Sequence, residues 1–234
     1  MGKKRCTTHI PMVHVDLTLR LGPVQGLGGA EGSNVAISRM AGCLGIAPAI
    51  QDRAKEVFRK MEKDRAWPPV LSKTNHRNND LLYAACLAIA CRSEGSPRSI
   101  NELASATAEG SAARREIAKL TARIRKHLGE EGVGLTGVGV VRASNYLCHF
   151  GKQLGMSGRE VASAKEAARR LEEDDLGMRN TGESIAAGIV CMVLEHGDDN
   201  RPVVSEVAKV TGVSMHTIQV VCKKLRPHAE MLFE

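Results

Sequence analysis

The two halves of the chain carry the same short strings in the same order. Leu44-Gly-Ile-Ala-Pro48 followed by Ala54-Lys-Glu56 matches Leu154-Gly-Met-Ser-Gly158 followed by Ala164-Lys-Glu166, at the same interval. Tyr83-Ala-Ala-Cys-Leu87 matches Ile185-Ala-Ala-Gly-Ile189, and Glu102-Leu-Ala104 with Thr107 matches Glu206-Val-Ala208 with Thr211. Each match is weak alone. Their common order makes a tandem duplication the economical explanation, so the chain should build one helical unit twice.

Two glycine-rich stretches frame these units. Residues 22–32 and residues 129–139 each hold five glycines in eleven positions. Such runs lose much backbone entropy in a helix and read as flexible linkers, spanning about 17–20 Å on average. The expected organisation is an N-terminal segment over 1–33, a first repeat over 34–128, a linker over 129–139 and a second repeat over 140–234.

Within each repeat the apolar period is helical. Ala54, Val57, Phe58 and Met61 recur at three- and four-residue spacing, as do Leu82, Ala85, Cys86 and Ile89, and Ile185, Ile189 and Met192. Pro97 and Pro202 precede new helices, where proline is tolerated in the first turn. Ser99 with Glu102 three residues on is a capping-box pattern. Alanine runs through the middle helix of each repeat, and small residues let neighbouring helices approach closely, so these helices should be central. A mean helix of about 11–12 residues gives roughly five helices per repeat. Residues 13–21 differ: Val13-His-Val-Asp-Leu-Thr-Leu-Arg-Leu21 alternates apolar and polar like a strand. One strand is not stable alone, so this segment either pairs with a partner or is disordered in solution.

Composition narrows the function. Thirty-three basic against 26 acidic residues leave a net charge of +7, which favours a polyanionic partner. Aromatic residues are only 3% of the chain, too few for a base-stacking platform. The seven cysteines are irregularly spaced and form no Cys-x-x-Cys pair, so no zinc site or other cofactor is expected. Cys86, Cys91, Cys191 and Cys222 lie in apolar helical patterns and read as small core residues. Reduced thiols suit a nuclear or cytosolic home. No apolar run is long enough for a membrane span, and the charged start lacks the apolar stretch of a secretory signal. The motifs of phosphate-binding loops, zinc proteases, serine hydrolases and dinucleotide folds are absent, so no catalytic residue is expected. Glu172-Glu-Asp-Asp175 reads as a solvated helix end rather than a carboxylate pair.

Three segments point to a binding function. In Val204–Leu225, Ala208 falls on a first short helix, Gly212 at a turn and Ile218 on a second helix, the arrangement a helix-turn-helix requires. Val213, Ile218, Val221 and Leu225 seat the second helix. His216, Gln219, Val220, Lys223 and Lys224 are left on its outer face. The plainer reading is a tight helix pair that never meets DNA. In the first repeat, Arg114–Lys126 holds six basic residues and one acid. Ile117, Leu120, Ile124 and Leu128 form its buried stripe, which leaves Arg115, Lys119, Arg123 and Lys126 on one exposed face. Such a ladder without compensating acids repels itself by a few tenths of a kcal/mol per pair, unless an anionic surface relieves it. A charge run is, equally, often only a solvated face. A third basic cluster, Lys73-Thr-Asn-His-Arg77, falls in the loop before the alanine-rich helix.

The string His76-Arg-Asn-Asn-Asp-Leu-Leu-Tyr-Ala-Ala-Cys-Leu-Ala-Ile-Ala-Cys-Arg-Ser-Glu-Gly-Ser-Pro-Arg-Ser-Ile-Asn-Glu-Leu103 resembles the first cyclin-like repeat of the transcription factor IIB family. Its Ala90-Cys-Arg-Ser-Glu-Gly-Ser-Pro-Arg98 core is quite specific to that family. The second half resembles the family's second repeat from about 140 onward, through Val213, Thr217-Ile218 and the ending Arg226-Pro-His-Ala-Glu-Met-Leu-Phe233. The resemblance covers roughly 34–233. It implies an all-α protein of two tandem five-helix cyclin-like domains with a helix-turn-helix in the second. It also implies a nuclear protein that grips the complex of TATA-binding protein with double-stranded promoter DNA, with RNA polymerase II as a further partner and the chain acting as a monomer. By resemblance, Arg77, Asn79, His216, Thr217, Gln219 and Lys223 face DNA. Arg92, Arg98, Arg115, Lys119, Arg123 and Lys126 face the TATA-binding protein.

Two departures from the family pattern shape the expectation. The family begins with a zinc ribbon that docks on the polymerase, and residues 1–33 hold no such motif, so polymerase recruitment in the family manner is not expected, and the chain reads as a specialised paralogue, a competitor that blocks promoters or a factor whose activating surface lies elsewhere. The alternative is a cyclin-like scaffold that binds regulatory proteins without DNA. The family's base-reading arginine is replaced by Gln219. Arginine prefers guanine and glutamine pairs with adenine, each good contact discriminating by about 1–3 kcal/mol. Sequence selection on the native chain and on Gln219→Arg is expected to enrich different bases upstream of TATA. Identical preferences would overturn this.

Overall fold

The computed structural model describes residues 30–67, 76–130, 141–173, 178, 180–196 and 203–233. The strand-like segment 13–21 and most of both glycine-rich stretches lie outside the described residues. Every regular element among those described is helical. The first half holds α1 (Ala30–Cys43), α2 (Pro48–Lys63), α3 (His76–Ser93), α4 (Ile100–Ser105) and α5 (Arg114–Glu130). The second half holds α6 (Ser144–Gln153), α7 (Gly158–Glu173), α8 (Gly182–Glu195), α9 (Val203–Thr211) and α10 (Met215–Leu225), followed by a terminal helix, α11 (Ala229–Phe233). Two short 3-10 turns, Gly110–Ala113 and Arg226–His228, lead into α5 and α11.

Each half is organised around one wrapped helix. In α3 every residue from Leu81 to Cys91 is buried, and in α8 every residue from Ala186 to Leu194 is. Such a helix has no solvent face, so its neighbours must cover it all round. In the first half α2, α5 and α1 do so, and in the second α10, α9, α6 and α7. The outer helices are amphipathic. The stripes read from spacing, Ala54, Val57, Phe58 and Met61 on α2, and Ile117, Leu120, Ile124 and Leu128 on α5, are all buried. Phe58 closes one end of the first core against Tyr83 and Trp67, with ring centroids 5.3 and 5.6 Å apart. Tyr146 and Phe150 stack at 5.5 Å in the second. The buried apolar residues form two clusters, one drawn from Ile37 to Leu128 and one from Ala143 to Leu232. This is the all-α, twice five-helix architecture that the periodicity and the duplication anticipate.

Helix ends follow the local chemistry. Ser99 is extended and accepts the Glu102 backbone N–H at 3.1 Å, capping α4 as its spacing predicts. Thr181 and Ser214 do the same for α8 and α10. Two linker expectations need correction. Helix α1 takes in Gly32 and α5 takes in Gly129, because a glycine in a terminal turn costs about 1 kcal/mol and the adjoining apolar stripe outweighs it. His76 and Arg77 open α3 rather than lying in the loop before it.

One glycine marks a close helix contact in the second half. A Cβ on Gly188 of α8 would sit 2.4 Å from Val221 Cγ1 of α10. The position therefore sets how deeply the second helix of the helix-turn-helix seats. Gly188→Ala is expected to lower stability by about 1–3 kcal/mol through overpacking, read as a lower urea midpoint with unchanged m-value.

Candidate nucleic-acid interface

The strongest local signal in the sequence becomes a well-formed helix-turn-helix. Helix α9 ends at Thr211, Gly212 takes the turn with φ +72°, and Ser214 caps α10 by accepting the Thr217 backbone N–H at 3.1 Å. Thr211 Oγ1 accepts the Val213 backbone N–H at 3.2 Å and fixes the turn from the other side. Ile218, Val221 and Leu225 are fully buried and Val213 nearly so. His216, Gln219, Val220, Lys223 and Lys224 are exposed on the outer face. Lys224 donates to Asn180 Oδ1 at 3.0 Å, while Thr217 turns its hydroxyl to Ser214 at 2.7 Å.

The basic helix of the first half is less naked than its spacing suggests. Arg115, Lys119, Arg123 and Lys126 are all exposed along α5. Lys119, however, pairs with Glu116 at 2.7 Å, and Arg123 Nε donates to the Ala66 carbonyl at 3.1 Å. The expectation of an uncompensated ladder is thus corrected: an acid one turn back and a carbonyl from the end of the α2 segment relieve it. An exposed pair of this kind contributes at most about 1 kcal/mol and leaves the cations available to a stronger anion.

The segment Gly95–Glu102 joins the halves. Arg98, 13% exposed, donates to Glu102 at 3.0 Å and lies 2.6 Å from His149 Nδ1 on α6. His149 Nε2 lies 2.9 Å from Glu102 Oε2. With the proton on Nε2, the ring donates to Glu102 and accepts from Arg98 through Nδ1. Arg98 therefore belongs to the contact between the repeats rather than to an open basic surface. Asn145 Nδ2 donates to the Gly95 carbonyl at 3.4 Å, and Asn101 Nδ2 donates to the Gly212 carbonyl at 2.5 Å. A Cβ on Gly212 would collide with the Asn101 amide, so this glycine is demanded twice, by its φ and by the neighbouring repeat.

Beside this contact lies an open cleft of about 700 Å³. Asn101, Arg114 and Arg115 line it from the first half, and Glu183, Ser184 and Thr217 from the second. Arg115 and Thr217, singled out separately in the sequence, thus line the same cleft. Burial pushes the Glu183 carboxyl up to about 7, against the pull of Arg92 and Arg114. Arg92 is half-buried at the end of α3 and acts on Glu183 across the halves. Asn79 is half-buried in the first turn of α3, and the side chain of Arg77 lies outside the described residues. Sequence reasoning missed Asn101, His149 and Glu183. No local pattern marks them, because the partners of Asn101 and His149 are 47 to 111 positions away and the cations that act on Glu183 lie across the cleft.

Among the described residues no group of three His, Cys, Asp or Glu side chains is placed to hold a metal, and no helix is long and apolar enough to cross a membrane. Cys86, Cys91, Cys191 and Cys222 are buried, as their apolar settings predict, whereas Cys43 and Cys148 are exposed. Glu172 and Glu173 are exposed at the end of α7, and Glu172 pairs with Arg142 at 3.2 Å.

Two five-helix cyclin-like repeats, the second ending in a helix-turn-helix, define the class. The family described as "Transcription factor TFIIB repeat" matches residues 31–110. "Transcription initiation factor IIB" of Oryza sativa subsp. japonica is 37% identical over 196 residues, 84% of this chain and 59% of the relative. "Transcription initiation factor IIB-2" of Arabidopsis thaliana is 35% identical over 192 residues, 82% of this chain and 58% of the relative. The Drosophila melanogaster "Transcription initiation factor IIB" is 27% identical over 197 residues, 84% of this chain and 57% of the relative. The chain belongs to the transcription factor IIB family. It spans about three-fifths of the length of these curated relatives.

Glu183 also gives the cleft a pH signature. Its folded value of about 7 lies above the ordinary 4.5, so the folded chain holds a proton that the unfolded chain has released. Its contribution to stability is full below about 4.5 and is lost as pH rises through about 7. Glu183→Gln is expected to flatten the fall in melting temperature across that window. An unchanged pH profile would show that the carboxyl ionises freely in the cleft.

Proposed function

We propose that the chain is a nuclear transcription factor IIB-like protein that binds the complex of TATA-binding protein with promoter DNA during initiation by RNA polymerase II. In this reading residues 34–128 and 140–234 act as two domains, and the chain serves as a specialised or competing member of its family. The observation that carries the reading is the open cleft lined by Arg115 of the first repeat and Thr217 of the helix-turn-helix. In this reading the basic helix α5 and the helix α10 border one open cleft and together offer their exposed faces to DNA and a DNA-bound protein. His216, Gln219 and Lys223 supply the exposed edge of the reading helix. Arg77 and Asn79 open the central helix of the first repeat toward DNA. Arg92, Arg115, Lys119, Arg123 and Lys126 supply the cations for the TATA-binding protein or for phosphates beside it. The names of the relatives, all initiation factors, support the same role.

A second reading, a cyclin-like scaffold that holds regulatory proteins without DNA, draws support from one feature. Lys119 and Arg123 already have partners within the chain, so their charge makes no demand for a polyanion.

A mobility shift separates the two. The full chain is expected to supershift a TATA fragment only when TATA-binding protein is present, and Arg77→Ala with Arg115→Ala to abolish the supershift. With about four phosphate contacts, log K should fall against log salt with a slope near −3.6. A folded chain that gives no supershift would favour the scaffold.

A further inference from the structure

The large apolar side chains that stand exposed among the described residues are Val35, Met215 and Val220, and two of the three are on α10. Met215 is 53% exposed and Val220 36%. Single exposed apolar residues are commonplace and call for no explanation. These two do, because of where they lie. Successive helix residues turn by about 100°, which places Met215, Gln219, Lys223, His216 and Val220, in that angular order, on one arc of about 140°. The opposite arc carries Ile218, Val221, Cys222 and Leu225, all buried. The apolar pair therefore flanks the exposed polar edge, and neither member is needed to seat the helix.

Four of the five residues on that arc, Met215, His216, Gln219 and Val220, fall in the first six positions of α10. Residues near the N-terminus of a recognition helix are those that meet base edges in the major groove. Their chemistry is selective. No arginine, aspartate or glutamate occurs between Met215 and Leu225. The helix therefore lacks the commonest guanine reader and the acids that accept from cytosine. Lys223 stands in the last turn, beyond those positions, and Lys224 is bonded to Asn180. What remains is His216, whose ring N–H can reach the N7 that both purines present, one amide, which matches the N6 and N7 edge of adenine, and two apolar groups. The apolar feature of the major groove is the thymine C5 methyl, a group that only A·T pairs present.

We propose that Val220 and Met215 recognise thymine methyl groups beside an adenine bound by Gln219, so that this helix selects A·T-containing sites by apolar as well as hydrogen-bonded contact. The proposal rests on the DNA-binding reading above and adds to it the readers and the base-pair class. One helix face then uses both major-groove features of a single pair type. A protein groove would satisfy the two apolar groups but leave Gln219, His216 and Lys223 between them to be desolvated without matching partners.

The test uses the full chain with TATA-binding protein on fragments that keep the TATA element fixed and randomise the bases upstream. The enriched sequences are then synthesised in two forms, with thymine or with deoxyuridine upstream, which differ only in the C5 methyl. Enrichment of A·T pairs and a loss of about fourfold in affinity per methyl removed are expected, the value of one buried methyl-sized group. Val220→Ala and Met215→Ala are expected to bind the two forms more nearly alike, while Val220→Thr, which keeps a methyl, retains the difference. Enrichment of G·C pairs, no enrichment, or equal affinity for the thymine and uracil forms overturns the proposal while leaving DNA binding standing. So does a thymine preference that survives in both alanine variants. A folded chain that binds none of the fragments overturns both this proposal and the DNA-binding reading.

Discussion

The structure depends on two helices that have no exposed face. Once α3 and α8 are apolar all round, the other long helices are constrained to lie against one of them, and α11 closes over α7. The alanines of these helices keep their radius small, so the outer helices come close without leaving voids. Where α10 approaches most closely, alanine itself is too large and Gly188 takes the place. The outer helices need only one apolar stripe each, and their remaining faces are free to carry charge. That division of labour lets one plan serve twice with different surfaces: a basic helix α5 in the first half, and a helix α10 with few charges in the second.

The halves are joined by polar contacts rather than by a shared apolar core. Arg98, Glu102 and His149 satisfy one another in a mostly buried setting, and Asn101 and Asn145 reach backbone carbonyls of the opposite repeat. Hydrogen bonds of this kind are directional, and they fix orientation more sharply than apolar contact does. The cleft that results is lined by cations and helix starts, with one carboxyl whose ionisation costs more than usual.

Much of the fold was legible in the residues because its causes are local or periodic. The stripe on α5, the cap at Ser99, the turn at Gly212 and the buried alanine helices follow from spacing and side-chain type. Helix boundaries in glycine-rich sequence were not legible, since Gly32 and Gly129 are helical only because of what lies beside them. The candidate site was half legible. The face of α10 and the cations of α5 could be read from period, but not their neighbourhood. Glu116 sits within the same helix and was visible as a partner for Lys119. Ala66, by contrast, reaches Arg123 from 57 residues away and left no mark on the sequence. Arg98 shows the limit most clearly. In sequence it is one more basic residue in a basic segment, and only the packing of α6 reveals that it faces inward.

Gly212 gives the arrangement a mechanical character. The residue that carries the turn is also the one whose carbonyl receives Asn101, and α10 begins only three residues later. The pivot of α10 and the anchor of the other repeat are therefore the same point, with almost no lever arm between them. A small rotation of one repeat against the other would tilt α10 by a comparable angle instead of being absorbed in slack chain. The bearing of α10 is thus a readout of how the two repeats are seated.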